Sequence, residues 1–255
     1  MLESIEANPA EPLFWGLNEP GMQSRKEITE PTALKAAKAM WLHPMRVCIR
    51  AAQEMAELCG LHKQISNRVI ETWQHIDVIV SSTDFDNFFA LRCHPDAEPT
   101  IQVLAWEMAD ALYNNQPTLV PNGGWHLPYI KPEERESLPL DVQKFCSVAR
   151  CARVSYRTHD GANPTVEKDK ELYQRLLAGL DKGNGEPGHL SPLEHQATPL
   201  ADPKSRSGNF VGWEQYRKQI PGEAMAFDYE AAIAKGWRDM AQKIKPKKYE
   251  VLVRP

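Results

Sequence analysis

The sequence predicts an α+β fold: a helical half over residues 32–116, a junction over 117–140 and a mixed sheet-and-helix half over 141–255, with an extended arm at 1–31. Three observations carry this prediction. Apolar residues recur at steps of three and four through the first half, as one face of an amphipathic helix requires. The stretch "PTLVPNGGWHLPYIKP" at 117–132 is dense in helix breakers. Beyond it, a strand-like pattern, helical patterns and turns alternate.

The arm carries Pro9, Pro12, Pro20 and Pro31 with little periodicity, and so reads as extended. From Pro31, the residues Trp41, Met45, Cys48, Ile49, Ala52, Met55, Ala56 and Cys59 form a long helical stripe. A bend or restart is expected at Pro44 and a stop at Gly60. A short second helix carries Gln64 and Arg68 on one face, and "IDVIVSS" (76–82) fits either a strand or a buried helical turn. "DFDNFFALR" and "TIQVLAWEMADALY" complete the helical half, the latter with Ile101, Leu104, Ala105, Met108 and Leu112 on one stripe.

In the second half, "KFCSVARCARVSY" is strand-like at its end, and "KDKELYQRLLAGL" is a helix with Leu172, Leu176, Leu177 and Leu180 inward. "GNGEPGH" (183–189) is a turn. "DYEAAIAKGWRDMAQKI" reads as one helix ending in a solvated basic run, "KPKK".

Composition narrows the function. A chain of 255 residues, 42% hydrophobic and 25% charged, buries a sizeable core as one large domain, here taken as 32–255. A formal charge of -4 disfavours duplex nucleic acid as a partner, because neutralising its phosphates takes a basic excess. A small anion held by a few arginines remains compatible. The five cysteines, Cys48, Cys59, Cys93, Cys146 and Cys151, are odd in number and form no C-x-x-C pair. Neither a disulfide framework nor a zinc ribbon is expected, and a reducing, cytoplasmic compartment fits. No apolar run is long enough for a bilayer, and the acidic start "MLESIEANPAEP" lacks the apolar core of a secretion signal, so no membrane partner is expected.

"GHLSPLEH" (188–195) is the densest cluster of chemically capable residues. A metal site is not expected: His189 and His195 are six apart across a proline, and no H-E-x-x-H spacing occurs. A serine nucleophile is not expected either, since Ser191 lacks the G-x-S-x-G context. The spacing fits a helix start, with Ser191 as N-cap, Pro192 at the first helical position and Glu194 closing a capping box. Such a terminus offers unpaired N–H groups to a phosphate, and His189 adds a donor. No G-x-G-x-x-G or P-loop motif is present, so a nucleotide would not be held in either of those ways. His126 and His195 read as packed histidines.

Several stretches together resemble the flavin-dependent thymidylate synthases. "ARVSY" (152–156) followed by "GHLSPLEH" is similar to that family's N-terminal half, while "NFFALRCHPDAEPTI" (87–101) and "GLHKQISNRVIE" (60–71) resemble its C-terminal half. The halves stand in reversed order, as in permuted phage-type relatives, whose "WGxNxxGMQ" and "WHLPY" stretches appear here as "WGLNEPGMQ" (15–23) and "WHLPY" (125–129). The family's arginine-histidine-arginine segment does not occur in these 255 residues; "WEQYRKQIPGE" (213–223) resembles a different, C-terminal element of the permuted relatives.

The resemblance implies FAD-dependent methylation of dUMP to dTMP, with methylenetetrahydrofolate and NADPH as co-substrates, in a homo-oligomer (a tetramer) of the cytoplasm, host cytoplasm for a phage protein. It places Asn87, Leu91, Ser155, His189, Ser191 and Glu194 on the flavin side. Arg68 and Arg92 fall at nucleotide positions, Arg92 also as the catalytic, polarising cation, and Gln215 and Arg217 approach the substrate. Helical geometry agrees in part: Asn87 and Leu91 share a face one turn apart, with Arg92 about 100° onward. A guanidinium suits phosphate through its planar fork. The missing segment implies a complementary polypeptide that completes the cavity. The alternatives are a non-catalytic flavin- or nucleotide-binding relative and a flavoenzyme acting on another deoxyuridine nucleotide.

Overall fold

The computed structural model describes residues 2–21, 24–154, 165–181, 188–224 and 227–244. It is an α+β fold with a helical first half and a smaller region of short strands and helices after it. In the first half, α1 (Leu2–Ala7) precedes the long α2 (Pro31–Glu57), α3 (Lys63–Ser66) runs on into a 3-10 segment (Asn67–Trp73), and α4 (Asp86–Arg92) pairs with α5 (Pro99–Tyr113). Then come α6 (Pro132–Ser137), α7 (Leu140–Ala152), α8 (Val166–Asp181) and a 3-10 turn at Ser191–Glu194. Strands β1 (Ala197–Pro199), β2 (Arg206–Ser207), β3 (Phe210–Val211) and β4 (Trp213–Gln215), a 3-10 turn (Tyr216–Gln219), α9 (Tyr229–Ala234) and α10 (Trp237–Ile244) complete the order. No described helix is long and apolar enough to cross a membrane.

The start of α2 is set by local chemistry. Glu30 caps it, its carboxylate accepting from the N–H groups of Thr32 and Ala33, and Pro31 occupies the first turn, where a missing N–H costs nothing. Of the bend or restart expected at Pro44, the restart does not occur: α2 runs through it to Glu57. The reason is tertiary. Met45, Ile49 and Ala52 bury one face of α2 against Ile70 and Trp73 of the 3-10 segment, and that burial outweighs one lost backbone bond. Gly60, at φ +62, then turns the chain away.

The arm is not simply extended. α1 inserts Ile5 into the same core cluster, and the Trp41 indole donates to the Ala10 carbonyl at 3.1 Å. Residues 15–17 pair with 26–28, Leu17 N–H donating to Lys26 O and Ile28 N–H to Trp15 O, both at 2.8 Å. A helix of six residues has too little periodicity to read, and its burial depends on α2, which follows much later.

Two further expectations are corrected. "IDVIV" is neither helix nor paired strand: it runs irregularly, with Ile76, Val78 and Val80 exposed. The stretch "PTLVPNGGWHLPYIKP", expected as a junction, is anchored in a core, where Leu127 and Ile130 are buried with Cys146 and His126 bridges to Ala197. The C-terminal helix is two, α9 and α10, divided at Gly236, whose φ of +70 ends the first. "GNGEPGH", apart from its last two residues, and all of "KPKK" lie outside the described residues.

The second half is organised around α7. Cys146, Ser147, Val148, Ala149 and Cys151 are all buried, with α8 packed alongside through Tyr173, Leu176, Leu177 and Leu180. The segment expected to turn strand-like at its end is helical to Ala152, and the last two residues of that end, Ser155 and Tyr156, lie outside the described residues. That extension lets Arg150 and Arg153, three apart on one face, both reach the fully buried Asp169 of α8. Arg150 also forms a two-pronged pair with Glu134 of α6, both contacts at 2.6 Å, and donates to the Tyr129 carbonyl at 2.8 Å.

That fork holds the Glu134 carboxyl down to about 2, below its ordinary 4.5. Its contribution to stability is therefore present above pH ~4.5 and lost as pH falls through the folded value near 2. Acid unfolding followed by circular dichroism is expected to show this limb, and Glu134→Gln to flatten it.

Candidate functional site

Two short antiparallel ribbons frame the site. β1 pairs with β4 in the register Ala197↔Gln215, Thr198↔Glu214 and Pro199↔Trp213, and β2 pairs with β3 through Arg206↔Val211 and Ser207↔Phe210. The Ser191–Glu194 turn leads into β1, and the Tyr216–Gln219 turn follows β4. The two turns are therefore neighbours, and their charged side chains meet. Arg217 Nη1 donates to Glu194 Oε1, Arg217 Nε to Glu223 Oε2 at 3.0 Å, and Lys218 Nζ to Glu223 Oε1 at 2.7 Å. Two cations and two carboxylates balance. The Lys218 ammonium, followed by the Arg217 fork, lowers the Glu223 carboxyl. Burial opposes the Arg217 charge, and its two carboxylate partners outweigh that and raise it. Arg217 Nη2 has no hydrogen-bond partner among the described residues.

Gln215, 3% exposed, is held inside. Its amide donates to the Glu194 carbonyl at 3.2 Å and to Asn209 Oδ1 at 3.0 Å, and its backbone N–H donates to Ser207 Oγ. It clamps the Glu194 turn to the β2–β3 ribbon. Gly208 must be glycine here, for its φ is +62 and an added Cβ would stand 2.5 Å from Gln215 Oε1.

The helical half reaches the same ribbon. Ser81 Oγ lies 3.1 Å from His195 Nδ1, Asn209 Nδ2 donates to Ser81 O at 3.1 Å, and Val211 N–H donates to Thr83 Oγ1 at 3.0 Å. α4 begins three residues after Thr83, within a span of at most about 10 Å. Asn87, in the first turn of α4, therefore follows closely on a segment tied to the β2–β3 ribbon, although that segment and the ribbon are more than 100 residues apart in sequence. Burial lowers the His195 pKa, opposed by Glu194, as expected of a packed histidine; His126 is lowered likewise by burial and by Arg135.

The expected capped helix at 191 is absent. Ser191–Glu194 is one 3-10 turn whose cap position is Leu190, with no side-chain cap bond, and Glu194 faces Arg217 instead of the backbone. The cause lies downstream, where Ala197–Pro199 must extend to pair with β4, leaving no residues for a longer helix. Ser191→Ala is accordingly expected to change stability by less than about 0.5 kcal/mol, rather than the roughly 1 kcal/mol of a lost cap, in a urea titration.

Of the other expected site residues, Asn87, Leu91, Arg92, His189 and Ser191 are exposed. The polar side chains among them have no hydrogen-bond partner among the described residues. Arg68 is also exposed but pairs with Glu71 at 2.8 Å on its own 3-10 segment, and no contact joins it to the ribbon site. Ser155 lies outside the described residues.

Sequence reasoning missed a buried polar group beside this site. Gln196 Nε2 donates to Ser147 Oγ at 3.1 Å and lies 3.4 Å from Cys151 Sγ, while Ser147 Oγ donates to the Pro128 carbonyl at 2.8 Å. Gln196 Oε1 is buried without a partner among the described residues. No spacing rule marks Gln196, since its burial follows from nonlocal pairing of β1. Burial pushes the Cys146 and Cys151 thiols up to about 12, so neither is a thiolate at neutral pH.

No family model, curated protein or solved structure matches the chain.

Proposed function

We propose that the protein is a flavin-dependent thymidylate synthase, or one subunit of it, methylating dUMP to dTMP with methylenetetrahydrofolate and NADPH as co-substrates. What supports this reading is the meeting of two motif stretches on one ribbon: the approach to α4 and the Ser191–Glu194 turn, joined by Ser81–His195 and Thr83–Val211. The side chains available there fit a phosphate-bearing cofactor, because Asn87, Arg92, His189 and Ser191 all keep their donors open. When bound, FAD supplies the one-carbon relay and the hydride.

In this reading Asn87, Leu91, His189 and Ser191 hold the flavin, with Ser155 from the neighbouring motif, and Arg92 meets the anionic nucleotide and polarises its uracil edge. Arg217 contributes its open Nη2, while Glu194 fixes the Arg217 guanidinium and Gln215 acts as a positioning residue beneath that turn. Arg68 belongs to the nucleotide side by resemblance alone. A complementary arginine-bearing polypeptide completes the cavity, and the working assembly is a homo-oligomer.

The test is conversion of dUMP to dTMP by the purified 255-residue chain, alone and with such a complementary segment added. Turnover restored by the segment supports the reading; dUMP left unchanged in both arms counts against it. A second reading, a flavin- or nucleotide-binding relative without turnover, uses the open donors of Asn87, Arg92, His189 and Ser191 for binding alone. It predicts binding in both arms and dTMP in neither. Activity confined to another deoxyuridine nucleotide would assign the same site a different substrate.

A further inference from the structure

The end of "WHLPY" breaks a local rule. Pro128 and Tyr129 form a turn there, and Tyr129 has a φ of +61, the one positive φ of a non-glycine residue among the described residues. Glycine adopts that conformation freely, whereas a tyrosine Cβ is crowded in it. Such a conformation persists only where the surroundings over-determine it.

They do so here. Three consecutive carbonyls each accept from a side chain: Leu127 O from Arg135 Nη2 at 2.9 Å, Pro128 O from Ser147 Oγ at 2.8 Å and Tyr129 O from Arg150 Nη1 at 2.8 Å. Ser147 is fully buried, Arg150 is fixed by Glu134 and Asp169, and Leu127 and Ile130 anchor the turn in the core on either side. The Tyr129 side chain, by contrast, is 53% exposed, in a stretch from 120 to 224 where Leu140 is the other exposed large hydrophobic residue among those described. An aromatic ring is thus held outward at a position where glycine would make the same turn more easily.

The ring stands beside the candidate site. Burial, Cys151 and Asp77 all raise the Tyr129 phenol, so it is a neutral hydroxyl at physiological pH within electrostatic reach of both residues. Asp77 belongs to the segment that runs on to Ser81 and Thr83, which meet His195 and the β2–β3 ribbon. Cys151 lies 3.4 Å from Gln196, two residues after Glu194.

We infer that Tyr129 is a ligand-binding residue whose ring stacks on a planar heterocycle, the flavin of FAD or the uracil of dUMP. A preorganised aromatic face offers such a ring a stacking contact at little entropic cost. The Asp77 carboxylate disfavours phosphate at this spot, which leaves the ring end of the ligand to Tyr129 and its phosphate to the open donors of Asn87, Arg92, His189 and Ser191. The identity of the ligand rests on the flavin-nucleotide reading; the outward-held ring does not.

The test compares the full wild-type chain with Tyr129→Gly and Tyr129→Phe, each titrated with FAD and, in the presence of FAD, with dUMP, and each melted thermally. Tyr129→Gly is expected to weaken binding by about 5- to 150-fold, the range of a lost base–aromatic stack, while melting no lower than the wild type because glycine suits the turn. Tyr129→Phe keeps the aromatic face and is expected to bind like the wild type. A loss in the FAD arm assigns the stack to the cofactor, and one confined to the dUMP arm assigns it to the uracil. Unchanged affinity for both ligands in Tyr129→Gly overturns the inference and leaves the flavin reading standing. So does a Tyr129→Phe variant as weak as Tyr129→Gly, or a lowered Tyr129→Gly melt, the sign of a merely structural ring. A wild-type chain that takes up neither ligand removes the flavin reading and this inference together.

Discussion

Asp169→Ala is expected to destabilise the second half by about 3–5 kcal/mol, enough to unfold much of a marginally stable domain. The carboxylate is fully buried and accepts from both Arg150 Nε, at 3.0 Å, and Arg153 Nη1. Deleting it leaves two guanidinium groups, 14% and 16% exposed, around an empty site, and among the described residues only Arg150 keeps another carboxylate, Glu134. The large figure is that of an abandoned buried charge, not the net worth of the ion pair against an apolar replacement. Urea unfolding followed by far-UV circular dichroism measures it. The consequence for the site is indirect: α7 carries Ser147 and Cys151, which hold Gln196 immediately before β1, so a loosened α7 also loosens the Glu194 turn.

Arg92→Ala is expected to weaken dUMP binding by roughly 2–5 kcal/mol, about 30-fold to several thousand-fold in Kd, while leaving the fold intact. Arg92 is exposed at the end of α4 and makes no ion pair among the described residues, so its removal leaves no internal group stranded. Arg68→Ala is the informative comparison. Its guanidinium already pairs with Glu71 and is linked by no contact to the ribbon, so an equal loss in both variants would extend the nucleotide site to that segment. Isothermal titration with dUMP, paired with thermal melts, separates binding from stability. Unchanged dUMP affinity in Arg92→Ala would remove Arg92 from the nucleotide site.

What could be read from the sequence was local. Pro31 announces the start of α2, and the stripes of α5 and α8 predict helices whatever surrounds them, because a 3.6-residue period needs no partner to be visible. The stripe of α5 does not say which of its residues are covered: Ala105 is buried while Leu104 and Leu112 are half exposed, since the neighbour that decides which part of a wide apolar arc is covered cannot be seen in the period. What was misread was decided at a distance. The S-P-x-E pattern has every local feature of a capping box, yet pairing of Ala197 with Gln215 ends the turn after four residues and Arg217 takes the glutamate. The composition of the breaker-rich 117–132 stretch does not show its anchoring in the core, which the His126–Ala197 bridge and the burial of Leu127 decide. Gln215 looked available to a ligand, whereas β4 buries it under the Glu194 turn.

The most direct measurement is a titration of the purified full chain with FAD, followed by the flavin absorbance bands, repeated with dUMP present. A flavin-nucleotide site made from α4 and the Ser191–Glu194 turn predicts saturable FAD uptake near one per chain, and a further shift of the bands when dUMP is added. A protein that stays colourless after mixing with FAD and gel filtration, with or without dUMP and the complementary arginine-bearing segment, would contradict it.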